Sequence, residues 1–419
     1  MTQSGLGPLE NGGTVVVIGG GPGGTAAALA LQREALTLQR QIRIIIVEEK
    51  QFAGEQQYNQ CAGVLSPPIA DLIVNGLGVA FPTHLSRSAI TGYVLHTTRH
   101  TIILDGEAEP SIAVRRIQFD AYMLEAAAQR GVEVLAARVT DLEFHADRVI
   151  VYTDRGPLQA DVIVGAFGLD EGAGAFFAHA VGYRPPPALS SVVTKYHPGL
   201  ESMAGFGQRI HAFLPPDPHI EFGAVTPKGN HLTINIAGVA VDASLMERFL
   251  AMPDVQRTLP CLENARRFEP QDLRYFKGRF PCGIARGFLG DRFVMVGDAA
   301  GLVRAFKGKG VTSAIQTGIR AAHVILHEGI SAQAFQSYRA ANRDIISDLP
   351  YGQAMRRFTI LATRMGLMNA ALVAAERDAG LRRALFNAVS AHQPYREVVR
   401  EAFAPASVQR VIAALLQRH

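Results

Sequence analysis

Residues 15–24 read VVVIGGGPGG, and no other stretch restricts the fold of this chain so strongly. Val15, Val16, Val17 and Ile18 form a short β-branched run, glycines come at once after it, and residues 25–35 continue Ala- and Leu-rich without a breaker. That order predicts strand, loop and helix. Gly19, Gly21 and Gly24 stand in the G-x-G-x-x-G register across the junction, with Pro22 and Gly23 among them. In that setting the first glycine permits the tight turn, the second lets backbone approach a pyrophosphate, and the third lets the helix pack on the strand. No Ser, Thr, Asp or Asn stands among the glycines to cap the helix, so its unpaired N–H groups are expected to meet a dinucleotide phosphate. A second strand over residues 42–47 ends at Glu48, where an acid can accept hydrogen bonds from an adenosine ribose. Glu49 is the alternative, and either acid favours a non-phosphorylated ribose such as that of FAD or NAD.

With 419 residues the chain is long enough for two domains. After the second strand come a loop-rich stretch, a helix over residues 120–130 closed by Gly131, and short strands over 132–136, 139–145 and 149–153. ADVIVGAFG returns to a buried parallel strand. Between residues 183 and 238 the texture changes: proline-rich breaks separate runs such as SSVVTKY, HIEFGAV and HLTINIAG, and PKGN reads as a hairpin turn. From Phe293 a buried strand, a glycine loop and a helix over 309–326 rejoin the first domain, and the remainder of the chain reads as helical. The expected fold class is therefore α/β. A doubly wound, Rossmann-like domain (residues 14–182 and 265–330) carries an inserted antiparallel-sheet substrate domain (183–264) and a helical C-terminal region (331–419).

Composition excludes several classes. Hydrophobic residues make up 48% and charged residues 19%, as in an ordinary soluble protein, and the formal charge of +4 comes without a Lys/Arg run interleaved with aromatics. No nucleic-acid partner is expected. Cys61, Cys261 and Cys282 are odd in number and lack metal-ligand spacing, which fits a reducing, cytoplasmic setting and neither a disulfide framework nor a zinc ribbon. No HExxH-type spacing supports a metal site. The first apolar run comes after a leader without Lys or Arg and soon turns glycine-rich, unlike a secretory signal. The longest apolar tract, residues 358–375, is broken by Arg364 and falls short of the ~20 residues that span a bilayer. Residues 351–419 nevertheless hold ten arginines and no lysine against four acids. Two readings stand for this segment: basic helices making peripheral membrane contact, or a solvated outer face of a helical bundle.

The late stretch VMVGDAAG places Gly297 and Asp298 at the carboxyl end of a buried strand, where an acid can hold a polyol hydroxyl such as that of a ribityl chain. Here the chain resembles the FAD-dependent oxidoreductases of the aromatic-hydroxylase type, and among them the geranylgeranyl reductase branch, which reduces carbon–carbon double bonds in isoprenoid lipids and pigments. The resemblance covers roughly residues 14–330. It implies bound FAD. By the same resemblance Arg116 of VRRIQFDAYMLEAAAQRG lies toward the flavin phosphate and ribityl region, and Val139 of ARVTDL contacts adenine through its backbone. Cys61, Ala62 and Gly63 of NQCAGVLSP lie beside the isoalloxazine. Gly168 of GAFG, and Gly308, Lys309, Gly310 and Val311 at the late helix, complete the implied cofactor contacts.

The departures from the family pattern carry information too. Phe167 stands where the hydroxylases have an acid, which weakens the case for their use of NADPH, and Ala224 and Thr226 replace two large rings of the reductases' substrate sheet. A wider pocket is expected. Lys307 and Lys309 stand where a helix begins, although cations there oppose the helix dipole. They are read either as counter-charges to reduced flavin or an anionic substrate, or as solvated chains. Lys307 and Cys61 are the candidate catalytic residues. Cys61 is either a proton donor or redox partner, or a small buried hydrophobe. His211, His219 and His231 fall in the inserted sheet without a ranking among them.

The function expected is an FAD-dependent oxidoreductase that reduces a C=C bond in a hydrophobic small-molecule or lipid acceptor. The alternatives are a flavin monooxygenase and, in another class, a non-catalytic FAD-binding scaffold. A tryptophan-dependent halogenase is disfavoured because the chain has no Trp.

Overall fold

The computed structural model describes residues 6–52, 61–106, 109–261, 269, 273–304 and 309–416. Its first layer is built from β1 (Thr14–Ile18), α1 (Pro22–Thr37), β2 (Arg43–Val47), α2 (Arg116–Ala128), β3 (Val162–Gly165), β4 (Phe293–Met295) and α3 (Gly310–His327). The six-stranded sheet runs Leu289–Gly290, β4, β3, β1, β2, Glu133–Leu135. All neighbours are parallel except the edge strand Leu289–Gly290. Val15, Val16 and Val17 are fully buried because helices cover one face and the antiparallel strands Val139–Phe144, Val149–Thr153 and Gly156–Ala160 share the core on the other. Burial on both faces is why these strands read as unbroken Val/Ile runs. β1 lies between β2 and β3, so the chain leaves it in opposite directions and opens a crevice at the carboxyl ends of the strands.

A second sheet has seven strands, in the order Phe276–Pro281, Ala188–Tyr196, Leu232–Gly238, Phe222–Pro227, Arg209–Phe213, Gly92–His96, Thr101–Asp105. Four lie inside the expected inserted block. PKGN forms the hairpin turn between Phe222–Pro227 and Leu232–Gly238, with the Lys228 N–H donating to the His231 carbonyl at 2.8 Å. The other three come from residues 92–105 and 276–281, stretches that local pattern assigns to the dinucleotide-binding domain. Gly92–His96 joins through a parallel pairing with Arg209–Phe213, a contact across more than a hundred residues that no local pattern encodes.

The C-terminal region is helical throughout its described residues, from Ala334–Ala341 to Pro405–Leu416. It packs on the Gly92–Asp105 side of the second sheet. Asp348 of the helix Arg343–Arg364 accepts the backbone N–H groups of Tyr395 and Arg396 at 2.9 and 3.0 Å, which fixes the start of the helix Tyr395–Ala402. Among the described residues no single helix is long and apolar enough to cross a membrane.

Candidate functional site

A cavity of about 830 Å³ separates the carboxyl ends of the parallel strands from one face of the seven-stranded sheet. Three helices begin at its wall, and none of the three is capped by a side chain: α1 at Gly21, α2 at Arg115 and α3 at Lys309. Asp170, Asp242 and Asp378 cap three other helices, each accepting a backbone N–H of the helix it precedes. At the cavity the first N–H groups of α1, α2 and α3 have no such side chain and are open to a ligand.

The glycine loop shows what that ligand needs. Gly19 is at φ +107°, and a Cβ on Gly24 would come within 1.9 Å of the Gly19 carbonyl oxygen, so both positions require glycine for the chain's own packing. Gly21 differs, because a Cβ built there meets nothing within 4 Å. It would point into empty cavity. Pro22 and Gly23 line the same wall. On the adjoining side Glu48 accepts Gly20 N–H at 2.7 Å and Lys50 N–H at 2.8 Å, one through each oxygen, and both Glu48 and Glu49 line the cavity, as do Val139 and Gly168.

At the far end stand Gly297 and Asp298, with Gly310 and Val311 of α3, and Cys61, Ala62 and Gly63. Burial pushes the Asp298 carboxyl up, against the pull of Arg116. Arg116 itself is largely enclosed, which opposes its charge. Asp120, within 3.1–3.2 Å, and Cys61 outweigh that and hold the guanidinium charged above its ordinary range. The Cys61 Sγ accepts from Gly63 N–H at 3.1 Å and from Arg116 Nη1 at 3.7 Å. Cys61 is exposed, not a buried hydrophobe.

Lys309 departs from both sequence expectations. Its side chain is buried, lies outside the cavity wall, and donates to the Pro67 carbonyl at 3.0 Å. That carbonyl is the negative partner that makes a lysine tolerable at a helix start. Burial, with Arg304 nearby, pulls its ammonium down to about 8. Lys307 and Gly308 lie outside the described residues.

The substrate side was less legible. Side chains alternate along strands, so Ser191, Val193, Ala224, Thr226 and Asn235 share the cavity-facing side of the second sheet, with Phe222, Phe280 and Tyr93 around them. Ala224 and Thr226 do leave this wall short of large rings. One step further along the strands come Lys195, Lys228, His197 and His231, with Arg115 close by. Lys228 is buried directly behind the Cys61 loop, so that a Cβ on Gly63 would lie 2.7 Å from its Nζ. Burial lowers it to about 8, partly offset by Cys61. Asn235 Oδ1, Thr233 Oγ1 and His231 Nε2 are buried without a hydrogen-bond partner among the described residues. This part of the wall is thus apolar to weakly polar, and those cationic and imidazole groups stand beyond its lining. Their only advance signal was a lysine inside the PKGN turn. His211 faces His96 at 2.9 Å, each pushed down to about 4 by burial, and His219 is exposed; neither lines the cavity. Phe167 lines it and stacks on Phe177 with ring centroids 5.3 Å apart, an apolar surface where hydroxylases carry an acid.

The fold and cavity together define a dinucleotide-binding α/β protein with a second sheet facing its ligand. No family model matches the chain. It is 24% identical over 327 residues to digeranylgeranylglycerophospholipid reductase 2 of Methanosphaera stadtmanae, covering 73% of this chain and 76% of that protein. Among solved structures, a geranylgeranyl bacteriochlorophyll reductase-like protein of Thermoplasma acidophilum superposes with a TM-score of 0.70 at 16% identity, covering 96% of this chain and 99% of that one. The p-nitrophenol 4-monooxygenase of Pseudomonas putida reaches 0.65 at 16% identity, over 90% and 97%. The chain has the fold shared by these proteins, and the resemblance carried by its sequence motifs extends to the whole architecture.

Proposed function

We propose that this protein is an FAD-dependent oxidoreductase that reduces a C=C bond in a hydrophobic acceptor with a polar end. One observation carries the reading: a single cavity is lined by the uncapped glycine loop and Glu48, by Asp298 and Arg116, and by the wall of the second sheet. The residues fit FAD. Gly21 leaves the space a pyrophosphate requires, and Asp298 stands where a ribityl hydroxyl would be held. Bound flavin would supply the hydride. The protein's part is to seat the acceptor's apolar body against Val193, Ala224 and Phe280 and its polar end toward Thr226 and Asn235. The named activity of the Methanosphaera relative supports a reductase. The likeness to p-nitrophenol 4-monooxygenase favours a second reading, oxygen insertion. To separate them, the purified protein is reduced anaerobically with dithionite and given unsaturated polyprenyl lipids. Flavin reoxidation under nitrogen, with a product heavier by two hydrogens, is expected. A product that forms only in air and gains one oxygen atom selects the monooxygenase.

We also propose that the C-terminal region rests on an anionic bilayer. The helix Arg343–Arg364 and the residue after it expose Tyr351, Phe358, Leu361 and Met365 along one side, Met365 at 63%. Phe403 stacks edge-on against Phe358 at 4.9 Å and extends the patch, and the exposed Arg357 and Arg364 flank it. An apolar stripe edged by arginines matches the acyl boundary and phosphates of such a surface.

A further inference from the structure

Away from the cavity, α1 and α3 pack so closely that a Cβ on Gly318 would lie 2.5 Å from the Gly23 carbonyl oxygen. Nearer their C-terminal ends, Glu34 of α1 faces His323 and His327 of α3. The two histidines are four residues apart on one helix face, with stacked rings 4.4 Å between centroids. One carboxylate oxygen, Glu34 Oε2, lies 3.3 Å from His323 Nδ1 and 3.0 Å from His327 Nε2. One ligand atom from each residue lies within 4.8 Å of the other two, the one such group of His, Cys, Asp and Glu among the described residues.

We propose that Glu34, His323 and His327 form a binding site for a divalent transition metal, zinc by first choice. Tetrahedral zinc with bonds near 2.0–2.1 Å sets its ligand atoms about 3.3–3.5 Å apart, close to the separations already present between Glu34 and each histidine. Two imidazoles and one carboxylate are a borderline donor set that suits zinc, nickel or copper over magnesium or calcium. His323 is 58% exposed at its side chain and His327 37%, so water has access to the remaining position. A bound divalent ion would tie the C-terminal halves of α1 and α3 together, and it is at the N-terminal ends of these same helices that the cavity opens. The site is a clamp on the pair and needs no acceptor or flavin chemistry.

The experiment uses the purified full chain, stripped with chelator and titrated with zinc chloride against a chromophoric zinc indicator, with thermal unfolding recorded in parallel. One equivalent per chain is expected, with an upward shift in unfolding temperature that saturates with it. His323→Gln and His327→Gln should each weaken binding about tenfold or more and abolish the shift, while circular dichroism and flavin absorbance stay unchanged. Cys61 and Cys261 are exposed thiols that also attract zinc, so a Cys61→Ser/Cys261→Ser variant is titrated as well and should keep the full equivalent. The proposal is overturned if wild type takes up no zinc at about 100 µM metal. It is equally overturned if the equivalent survives both histidine changes or disappears with the cysteines.

Discussion

Asp298 is kept close to Arg116 in a place where burial works against its charge, and such an arrangement is worthwhile only if the carboxylate has something to hold. Asp298→Ala should weaken FAD binding by the cost of one unpaired polyol hydroxyl, about 1–3 kcal/mol, or roughly 5- to 150-fold. Flavin fluorescence titration reads this directly, and Asp298→Asn should retain most of the affinity. Unchanged affinity in the alanine variant would make the acid structural. The buried lysines give a pH signature. Lys228 and Lys309 both fall from the ordinary 10.5 to about 8 when folded. Between those values the unfolded chain binds more protons than the folded one, so raising the pH through that window favours the fold. Stability measured by urea unfolding should rise between about pH 8 and 10.5, and Lys228→Met with Lys309→Met should flatten the slope. A wild-type slope unaltered by both substitutions would assign the effect to other groups.

At the level of elements, α1 separates folding from binding within one turn. Gly21 has φ −72°, which any residue adopts, and open cavity where its side chain would go. Gly21→Ala should therefore leave the flavin-free protein within about 0.5 kcal/mol of wild type, yet block the approach of the pyrophosphate and abolish FAD retention. Gly24→Ala should unfold more easily with or without flavin, by about 1–3 kcal/mol or more, because its Cβ has only backbone to move. Equal effects of the two substitutions would mean that Gly21 serves packing alone. The starts of α2 and α3 at the cavity likewise lack a side-chain cap and leave their first N–H groups open to a ligand.

Over the whole molecule, the first sheet and its helices form one side of the cavity, the second sheet forms the other, and the C-terminal helices close behind the second sheet. On the proposed membrane contact, the exposed stripe on Arg343–Arg364 and Met365 would set the protein's orientation toward a bilayer. In a flotation assay the protein should rise with vesicles that contain phosphatidylglycerol and remain behind with pure phosphatidylcholine at low salt. Phe358→Ser with Leu361→Ser should reduce flotation severalfold without lowering flavin content. Equal recovery of wild type and variant, or a stable dimer in light scattering that the variant disrupts, would show that the stripe does not serve a membrane.

The strand, glycine loop and helix of the first domain were legible because each is a local pattern: β-branched runs buried on both faces, glycines demanded by turn and close approach, an apolar stretch ending in an acid. Gly19, Gly21, Glu48, Arg116 and Asp298 come from those separate patterns and line one cavity. Other features depend on partners far away in the chain. Lys309 meets Pro67 across 242 residues, Glu34 meets His327 across 293, and Gly92–His96 leaves its own sequence neighbourhood to pair with Arg209–Phe213. No periodicity records such meetings, because a side chain's partner is set by where the backbone carries it and not by the residues beside it. Local sequence thus determined that a dinucleotide loop and its acids exist. Tertiary packing decided which charges face the ligand, which are buried against carbonyls, and how wide the opposite wall stands.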